Sequence, residues 1–186
     1  NNSLSHVAKC LAIKEVLVNR GHEVLIAVSR RSSLFLGKMH MDHCVLPDLQ
    51  ENDEAGLPTV EWFRDIQCII DCINAEVDLF RKYSPDRILG VFRFTVKASA
   101  QLAGIPYDSL ICGCMIPDSQ EVLGFADGEP GREAQQIILN GFYRYGAIKT
   151  SIALASFGLK EITDVRYMLK GERTFLWDFP EFFPLP

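Results

Sequence analysis

Residues 85–112 read PDRILGVFRFTVKASAQLAGIPYDSLIC, two apolar runs separated by small and polar residues. The runs at 87–92 and 106–112 have the length and continuous hydrophobicity of strands buried on both faces. Between them, residues 95–103 are typical of a closely packed helix, and Gly104 is a residue type that commonly ends one. Because strand, helix and strand follow one another through short connections, this stretch predicts a parallel β-α-β unit.

The same alternation precedes this unit. Apolar positions at helical or strand spacing predict a helix at 5–20, a strand at 23–28, a short helix from Ser29 to Leu36, a strand at 43–46 and a long helix at 59–83. We therefore expect a doubly wound, Rossmann-like parallel sheet. Such a domain ordinarily opens with a strand, whereas this sequence opens at the loop before its first helix, so we expect that strand to be absent or replaced by another element.

The C-terminal third continues the pattern and then changes character. After a Gly- and Pro-containing loop at 117–132, the periodicity predicts helices at 133–155 and 161–169 and a last strand at 173–177. Residues 179–186 contain three prolines, which prevent a further helix or central strand. We predict one domain at 1–178 and the start of an interdomain linker at 179–186.

The composition excludes several classes of protein. A chain of 186 residues that is 48% hydrophobic and 23% charged can form a core, which argues against intrinsic disorder. The net charge of −5 and the scattered 19 basic residues argue against nucleic acid as a partner. No apolar stretch reaches the roughly 18–20 residues of a membrane span, and no signal peptide is visible. We expect a cytoplasmic protein, with peripheral contact with a membrane surface left open.

The six cysteines suit buried thiols in a reducing compartment. The spacings Cys68-x3-Cys72 and His40-x2-His43-Cys44 are metal-like, but they do not supply the paired short spacings of a four-ligand zinc site. We expect no metal site.

Ligands of open α/β sheets bind beyond the carboxyl ends of the strands. Residues 1–6, 92–94 and 113–119 occupy such positions, so we expect them to converge. His6 stands at the start of a helix, whose dipole favours the neutral imidazole that a general base requires. The alternative is that His6 is a capping or exposed residue without chemistry.

Several phrases resemble GT-B glycosyltransferases of the UDP-glycosyltransferase type. The opening at 3–12 and the later Arg-Gly-His-Glu-Val at 20–24 are similar to that family's histidine loop and following turn. Residues 85–94 and 103–107 are similar to its strand, helix and strand, and 175–185 resembles its approach to the interdomain linker. The resemblance covers nearly the whole chain and implies the N-terminal half of a GT-B architecture.

The resemblance implies a specific function. The N-terminal domain would bind a small, apolar acceptor, and His6 would deprotonate its hydroxyl for inverting attack on a nucleotide-diphosphate sugar. That sugar is a co-substrate rather than a cofactor, and a C-terminal domain absent from this chain would bind it, so the chain alone should be inactive. At the three convergent segments, the residues expected to contact the acceptor are Ser5, Phe92, Arg93, Phe94, Cys112 and Met115.

The sequence departs from the family pattern at two points. Ser5 and Lys9 replace a glycine and a proline around the histidine, and Val91 stands where relatives often have the aspartate that orients it. Asp118, in the loop after the fourth strand, is the candidate substitute, with a solvated loop acid as the alternative. These departures keep open a non-catalytic acceptor-binding domain, or a docking subunit that works with a separate donor-binding chain.

Overall fold

The computed structural model describes residues 4–49, 60–117, 119, 122 and 128–178 and shows a mixed α/β chain. The helices are α1 (Leu4–Val18), α2 (Arg30–Lys38), α3 (Ile66–Tyr83), α4 (Val96–Ala103) and α5 (Arg132–Ala155). The strands are β1 (Ala27–Ser29), β2 (Cys44–Leu46), β3 (Ile88–Val91), β4 (Tyr107–Ile111) and β5 (Thr174–Leu176). Short 3-10 helices span Val60–Phe63, Gly113–Met115 and Val165–Leu169.

All the described strand pairs are parallel, in two small sheets. One sheet pairs β1 with β2, and the other has the order β3-β4-β5. Helices connect consecutive strands, as parallel pairing requires. This arrangement is consistent with a Rossmann-like α/β fold. The predicted linker at 179–186 lies outside the described residues.

Most of the predicted elements are present, with shifted ends. Ser29 caps α2 by accepting a hydrogen bond from the Ser32 amide at 3.4 Å, as its position indicated. Gly104, with φ of 68°, ends α4 in the left-handed region that glycine adopts without steric cost. The strand predicted at 23–28 is shorter, since only its end pairs with β2.

Two helix predictions were wrong in extent. The helix predicted at 59–83 begins at Ile66, because Asp65 caps it by accepting from the Gln67 amide at 2.9 Å. The helix predicted at 161–169 is only the 3-10 turn at Val165–Leu169, where Asp164 caps the Arg166 amide at 2.8 Å. In both cases an aspartate N-cap fixes where the helix begins, although the apolar periodicity extends further toward the N-terminus.

The main core lies between the β3-β4-β5 sheet and helices α3, α4 and α5. Its fully buried side chains include Phe63, Ile69, Ile73, Val165 and Leu169. A second cluster, formed by Val7, Ile26, Val28 and Leu36, packs α1 and α2 against β1. Burial of these apolar side chains is the main contribution to stability.

Ion pairs hold the edge of the larger sheet. Asp108, buried on β4, accepts hydrogen bonds from Arg173 Nε at 3.0 Å, Arg173 Nη2 at 2.5 Å and Arg87 Nη1 at 3.0 Å. Hydrogen bonding from Arg173 holds the pKa of the Asp108 carboxyl below its usual value. The interaction anchors the segment entering β5 against β4.

The described helices include none with the length and hydrophobicity to cross a bilayer. All six cysteines are free thiols. Within the described parts of the chain, no cluster of three His, Cys, Asp or Glu residues is arranged to hold a metal ion.

Replacing Gly171 with alanine should destabilise the fold. A Cβ atom there would lie 2.8 Å from Asp108 Cα, from Ser109 N and from Tyr107 O, which are backbone atoms that cannot move aside. We expect a loss of about 1–3 kcal/mol in the free energy of unfolding, measured by urea denaturation. Gly37→Ala is the control, because a Cβ on α2 meets open space there. Equal stability of Gly171→Ala and the parent chain would contradict this packing.

Candidate functional site

The candidate site lies at the carboxyl ends of β3, β4 and β5, where the first turn of α1 approaches them. Phe92 follows β3, Cys112 follows β4 and Trp177 follows β5. His6 stacks on Phe92, and Lys9 Nζ lies 5.1 Å from the centre of the Trp177 ring. This is the sheet edge at which open α/β folds bind ligands.

His6 is held in its neutral form. Burial, reinforced by the positive charge of Lys9, lowers the pKa of its imidazole to about 4. Its Nδ1 atom is buried and has no hydrogen-bond partner among the described residues. The ring is therefore uncharged at neutral pH.

Phe92 sets the plane of the His6 ring. The two ring centres are 5.3 Å apart and the rings are inclined by only 10°. Phe92 itself has φ of 51°, in the left-handed region that a bulky residue rarely adopts. This backbone conformation turns the chain out of β3, and Phe94 then contacts Phe92 edge-on at 5.5 Å between ring centres. Strain of this kind is often retained at functional sites.

A small cleft lies beside Phe92, and its interior volume of about 10 Å³ has room for about one water molecule. Its walls combine aromatic rings with a few polar groups: Asp48, Leu49, Trp62, Cys72, Phe92, Arg93, Phe94 and Thr95. Small-molecule sites typically enclose about 300–1,000 Å³, so in this conformation the cleft is too small to enclose an acceptor. Phe92 lines the cleft and also stacks on His6, which is not itself one of the lining residues.

Arg93 connects the elements around the cleft. Its Nε donates to Glu76 Oε1, and its Nη2 donates to the Pro47 carbonyl at 2.7 Å. Glu76 is fully buried on α3 and also accepts from Thr95 Oγ1 at 2.5 Å and from Ser99 Oγ. The guanidinium therefore links the segments that follow β2 and β3 to helix α3.

The buried guanidinium stays charged. Burial on its own would lower the pKa of Arg93, but the negative charges of Glu76 and Asp48 outweigh it and hold the pKa above its ordinary value. A buried ion pair of this kind stabilises only when its remaining polar atoms are hydrogen-bonded, as Thr95 and Ser99 ensure for Glu76.

The second flank of the site is the loop after β4. The Gly113 amide donates to Asp178 Oδ2, which brings the end of β5 onto this loop. Burial and the nearby Asp178 carboxylate raise the pKa of the Cys112 thiol, which disfavours the reactive thiolate. Cys112 is thus suited to contact rather than to nucleophilic chemistry.

Arg166 holds the same loop through its backbone carbonyl groups. It donates to the carbonyls of Ile116 at 3.1 Å, Pro117 at 2.7 Å and Ser119 at 3.3 Å. Asp164 neutralises it at 2.7 Å, and its guanidinium carbon lies 4.2 Å from the centre of the Tyr143 ring. The loop position is therefore determined by a buried cation.

The structure brings several of the predicted residues together. His6, Phe92 and Phe94 form one aromatic group, and Arg93 lines the same cleft although its guanidinium is committed to Glu76. Cys112 is half-buried on the neighbouring loop. Contact of these residues with an acceptor stays a prediction.

The other predicted site residues are less central. Met115 is buried against Tyr143, whose hydroxyl lies 3.9 Å from its sulfur, and Ser5 is exposed at the start of α1. Asp118 lies outside the described residues.

Sequence reasoning missed Asp48, Trp62 and Glu76. Glu76 carried a signal, because it is a single acid on the otherwise apolar face of α3 formed by Ile69, Ile73 and other buried residues. Asp48 also carried one, since it closely follows β2 at the ligand-binding edge of the sheet. The helical spacing of Trp62 in the sequence predicts a core residue.

Comparison with known proteins supports a relationship to glycosyltransferases. No protein-family model matches the chain. Over 118 residues, or 63% of this chain, it is 25% identical to the "PGL/p-HBAD biosynthesis rhamnosyltransferase" of Mycobacterium bovis (strain BCG / Pasteur 1173P2) and of Mycobacterium tuberculosis (strain ATCC 25177 / H37Ra). The match covers 26% of each relative, so the chain spans about a quarter of the length of the curated relatives it matches.

Replacing Arg93 with methionine should strongly destabilise the protein. The change leaves the carboxylate of Glu76 buried without its cation, which costs about 3–5 kcal/mol in the free energy of unfolding. Denaturant unfolding measures the loss. Arg81→Met is the control, because the side chains of Arg81 and its partner Asp78 are 70% and 79% exposed and the pair contributes about 0–1 kcal/mol. Adding Glu76→Gln to Arg93→Met should recover part of the loss, and no recovery would contradict the charge argument.

The imidazole of His6 should titrate with a midpoint near pH 4, measured by NMR. Because its pKa is 6.5 in the unfolded chain and about 4 in the fold, only the unfolded state binds the proton between these values. The contribution of His6 to stability is therefore complete above pH 6.5 and decreases as the pH falls towards 4. A midpoint at 6 or above would show that the ring is not buried as described.

Proposed function

We propose that the chain is the acceptor-binding domain of a GT-B glycosyltransferase. It binds a small, apolar acceptor and supplies the general base for inverting transfer of a sugar from a nucleotide-diphosphate donor. The distant similarity to rhamnosyltransferases supports the reaction class. The parallel strands and intervening helices support a doubly wound domain of the kind that such enzymes contain.

The observation that carries the proposal is the state of His6. A general base must be unprotonated at the working pH and must have a free lone pair directed toward the site. Burial keeps His6 neutral, stacking on Phe92 orients its ring, and Nδ1 has no partner among the described residues. Nδ1 is thus not committed to another group among the described residues, but it is buried, so the proposal requires the site to open before an acceptor hydroxyl reaches it.

Chemically, the step transfers one proton and one sugar. His6 takes the proton of the acceptor hydroxyl while that oxygen attacks the anomeric carbon, and the bond from that carbon to the nucleotide diphosphate breaks. The low pKa of His6 makes it a weak base, so proton transfer occurs late, when the attacking oxygen has already become acidic. In this proposal the aromatic side chains around the cleft contact the apolar body of the acceptor, for which the cleft must widen.

The donor occupies a second domain in this proposal. Among the residues described, the site offers His6 and aromatic walls rather than a glycine-rich phosphate loop. The nucleotide-diphosphate sugar would therefore approach the His6 edge from a C-terminal Rossmann-like domain. The carboxyl-end loops at Phe92 and Gly113 are the surfaces it would face.

A second candidate is a non-catalytic acceptor-binding or docking subunit. Its support is that no carboxylate hydrogen-bonds to His6 in the part of the chain described, so nothing there stabilises the imidazolium that a general base becomes. In this alternative the cleft and the aromatic group still bind the acceptor, and a separate chain supplies both donor and base.

His6→Ala should lower turnover at least ~10²-fold in the full-length gene product, because a general base typically contributes that much. Sugar transfer from radiolabelled nucleotide-diphosphate sugars to a panel of apolar alcohols and phenols gives the rate. Acceptor affinity, measured by titration calorimetry, should change much less, since the aromatic walls remain.

His22→Ala is the matched control. His22 is exposed beyond the far end of α1, so turnover should be unchanged. Normal turnover in His6→Ala would exclude the general-base role and leave the docking subunit. Failure of the parent protein to bind any acceptor would exclude both candidates.

A further inference from the structure

Helix α5 presents four exposed isoleucines on the outside of the molecule. Ile137, Ile138, Ile148 and Ile152 are 72%, 63%, 53% and 49% exposed. At 100° per residue these positions lie on the side of the helix opposite its buried residues, Tyr143, Gly146, Ala147, Thr150 and Leu154. Four isoleucines exposed on one helix form a patch, whereas isolated exposed apolar residues require no explanation.

The charges on α5 differ from those of the rest of the chain. The helix contains three basic residues, Arg132, Arg144 and Lys149, and one acid, Glu133 in its first turn. The whole chain, in contrast, has a net charge of −5. Arg144 is exposed beside the isoleucines, and Lys149 lies 5.6 Å from the centre of the Tyr145 ring on the other side of the face.

We propose that this α5 face binds the surface of an anionic lipid bilayer. A helix that lies in the membrane interface presents an apolar face to the acyl boundary and basic residues to the headgroups. The isoleucines supply the first, and Arg144 and Lys149 supply the second. The opposite face stays packed on the core, so the helix lies along the surface and does not enter the bilayer.

The charge pattern favours a bilayer over a second copy of the chain. A two-fold interface places the same face of each copy together. Two copies of α5 together carry six basic residues and two acids, Glu133 of each copy, so a two-fold contact through this face leaves excess positive charge. Anionic headgroups compensate that charge.

Another side of α5 contacts a residue of the cleft. Phe142 on α5 contacts Trp62, which lines the cleft, with 6.3 Å between ring centres. A chain bound through α5 therefore keeps its cleft close to the lipid surface. One consequence rests on the proposed function. If the cleft binds an apolar acceptor, an acceptor dissolved in the bilayer has only a short distance to travel to it.

Vesicle sedimentation tests the proposal without depending on sugar transfer. The protein is mixed with sucrose-loaded vesicles of phosphatidylcholine alone or of phosphatidylcholine with phosphatidylglycerol. We expect binding to the anionic vesicles, weaker binding to the neutral ones, and a decrease with added salt because of screening. Equal binding to both compositions, or none to either, would overturn the proposal.

Two variants assign the binding to α5. Ile137→Ser with Ile138→Ser should weaken binding at least about tenfold, because two apolar side chains no longer enter the interface. Arg144→Glu should also weaken it about tenfold, since it replaces an attraction with a repulsion.

The matched controls lie on α2. Leu34→Ser removes a side chain that is 69% exposed, and Arg31→Glu reverses an exposed charge, and both should leave vesicle binding within about twofold. Circular dichroism checks that each variant is folded. Equal losses in the α2 and α5 variants would overturn the assignment. A dimer in gel filtration that the isoleucine variant dissociates, without vesicle binding by the parent, would assign the face to a second copy instead.

Discussion

The hydrogen-bonded ion pair between Glu76 and Arg93 determines how the parts of the site are arranged. Glu76 lies on α3, Arg93 follows β3, and Thr95 and Ser99 bring the start of α4 onto the same carboxylate. Through the Pro47 carbonyl, Arg93 also holds the chain that leaves β2. Among the described residues, no strand pairing joins the two parallel sheets. The Glu76–Arg93 pair, together with the hydrogen bond from Arg93 to the Pro47 carbonyl, therefore links their carboxyl ends.

The chemistry of the site follows from what these contacts exclude. With Arg93 committed to Glu76, the ring that His6 contacts is Phe92, and burial leaves the imidazole partly desolvated beside Lys9. Such surroundings favour the uncharged ring, as desolvation always does for a base. On the other flank, Arg166 performs a similar role for the loop after β4, because it satisfies three carbonyl groups that would otherwise be left without donors.

The sequence predicts local features well and long-range pairings poorly. Strands β3 and β4 and helix α4 follow from short patterns of hydrophobicity with glycine or proline at their ends, which are local properties. The pairing of Glu76 with Arg93 joins residues from different elements, and neither residue's neighbours specify it. The approach of Trp177 to Lys9 likewise depends on β5 lying beside β4. His6 was predicted from its place at the start of the first helix, whereas its stacking on Phe92 required the three-dimensional arrangement.

The left-handed backbone at Phe92 has a consequence for which residues this position can accept. Glycine would adopt φ of 51° without the roughly 1–2 kcal/mol that a side chain costs there, but it would remove the ring on which His6 rests. Asparagine tolerates the conformation, yet it would introduce a polar group into an aromatic wall. At this position the backbone conformation favours glycine or asparagine, whereas the contact with His6 requires an aromatic ring. A substitution at position 92 that relieves the backbone strain would therefore stabilise the fold but remove the ring that holds the imidazole in place.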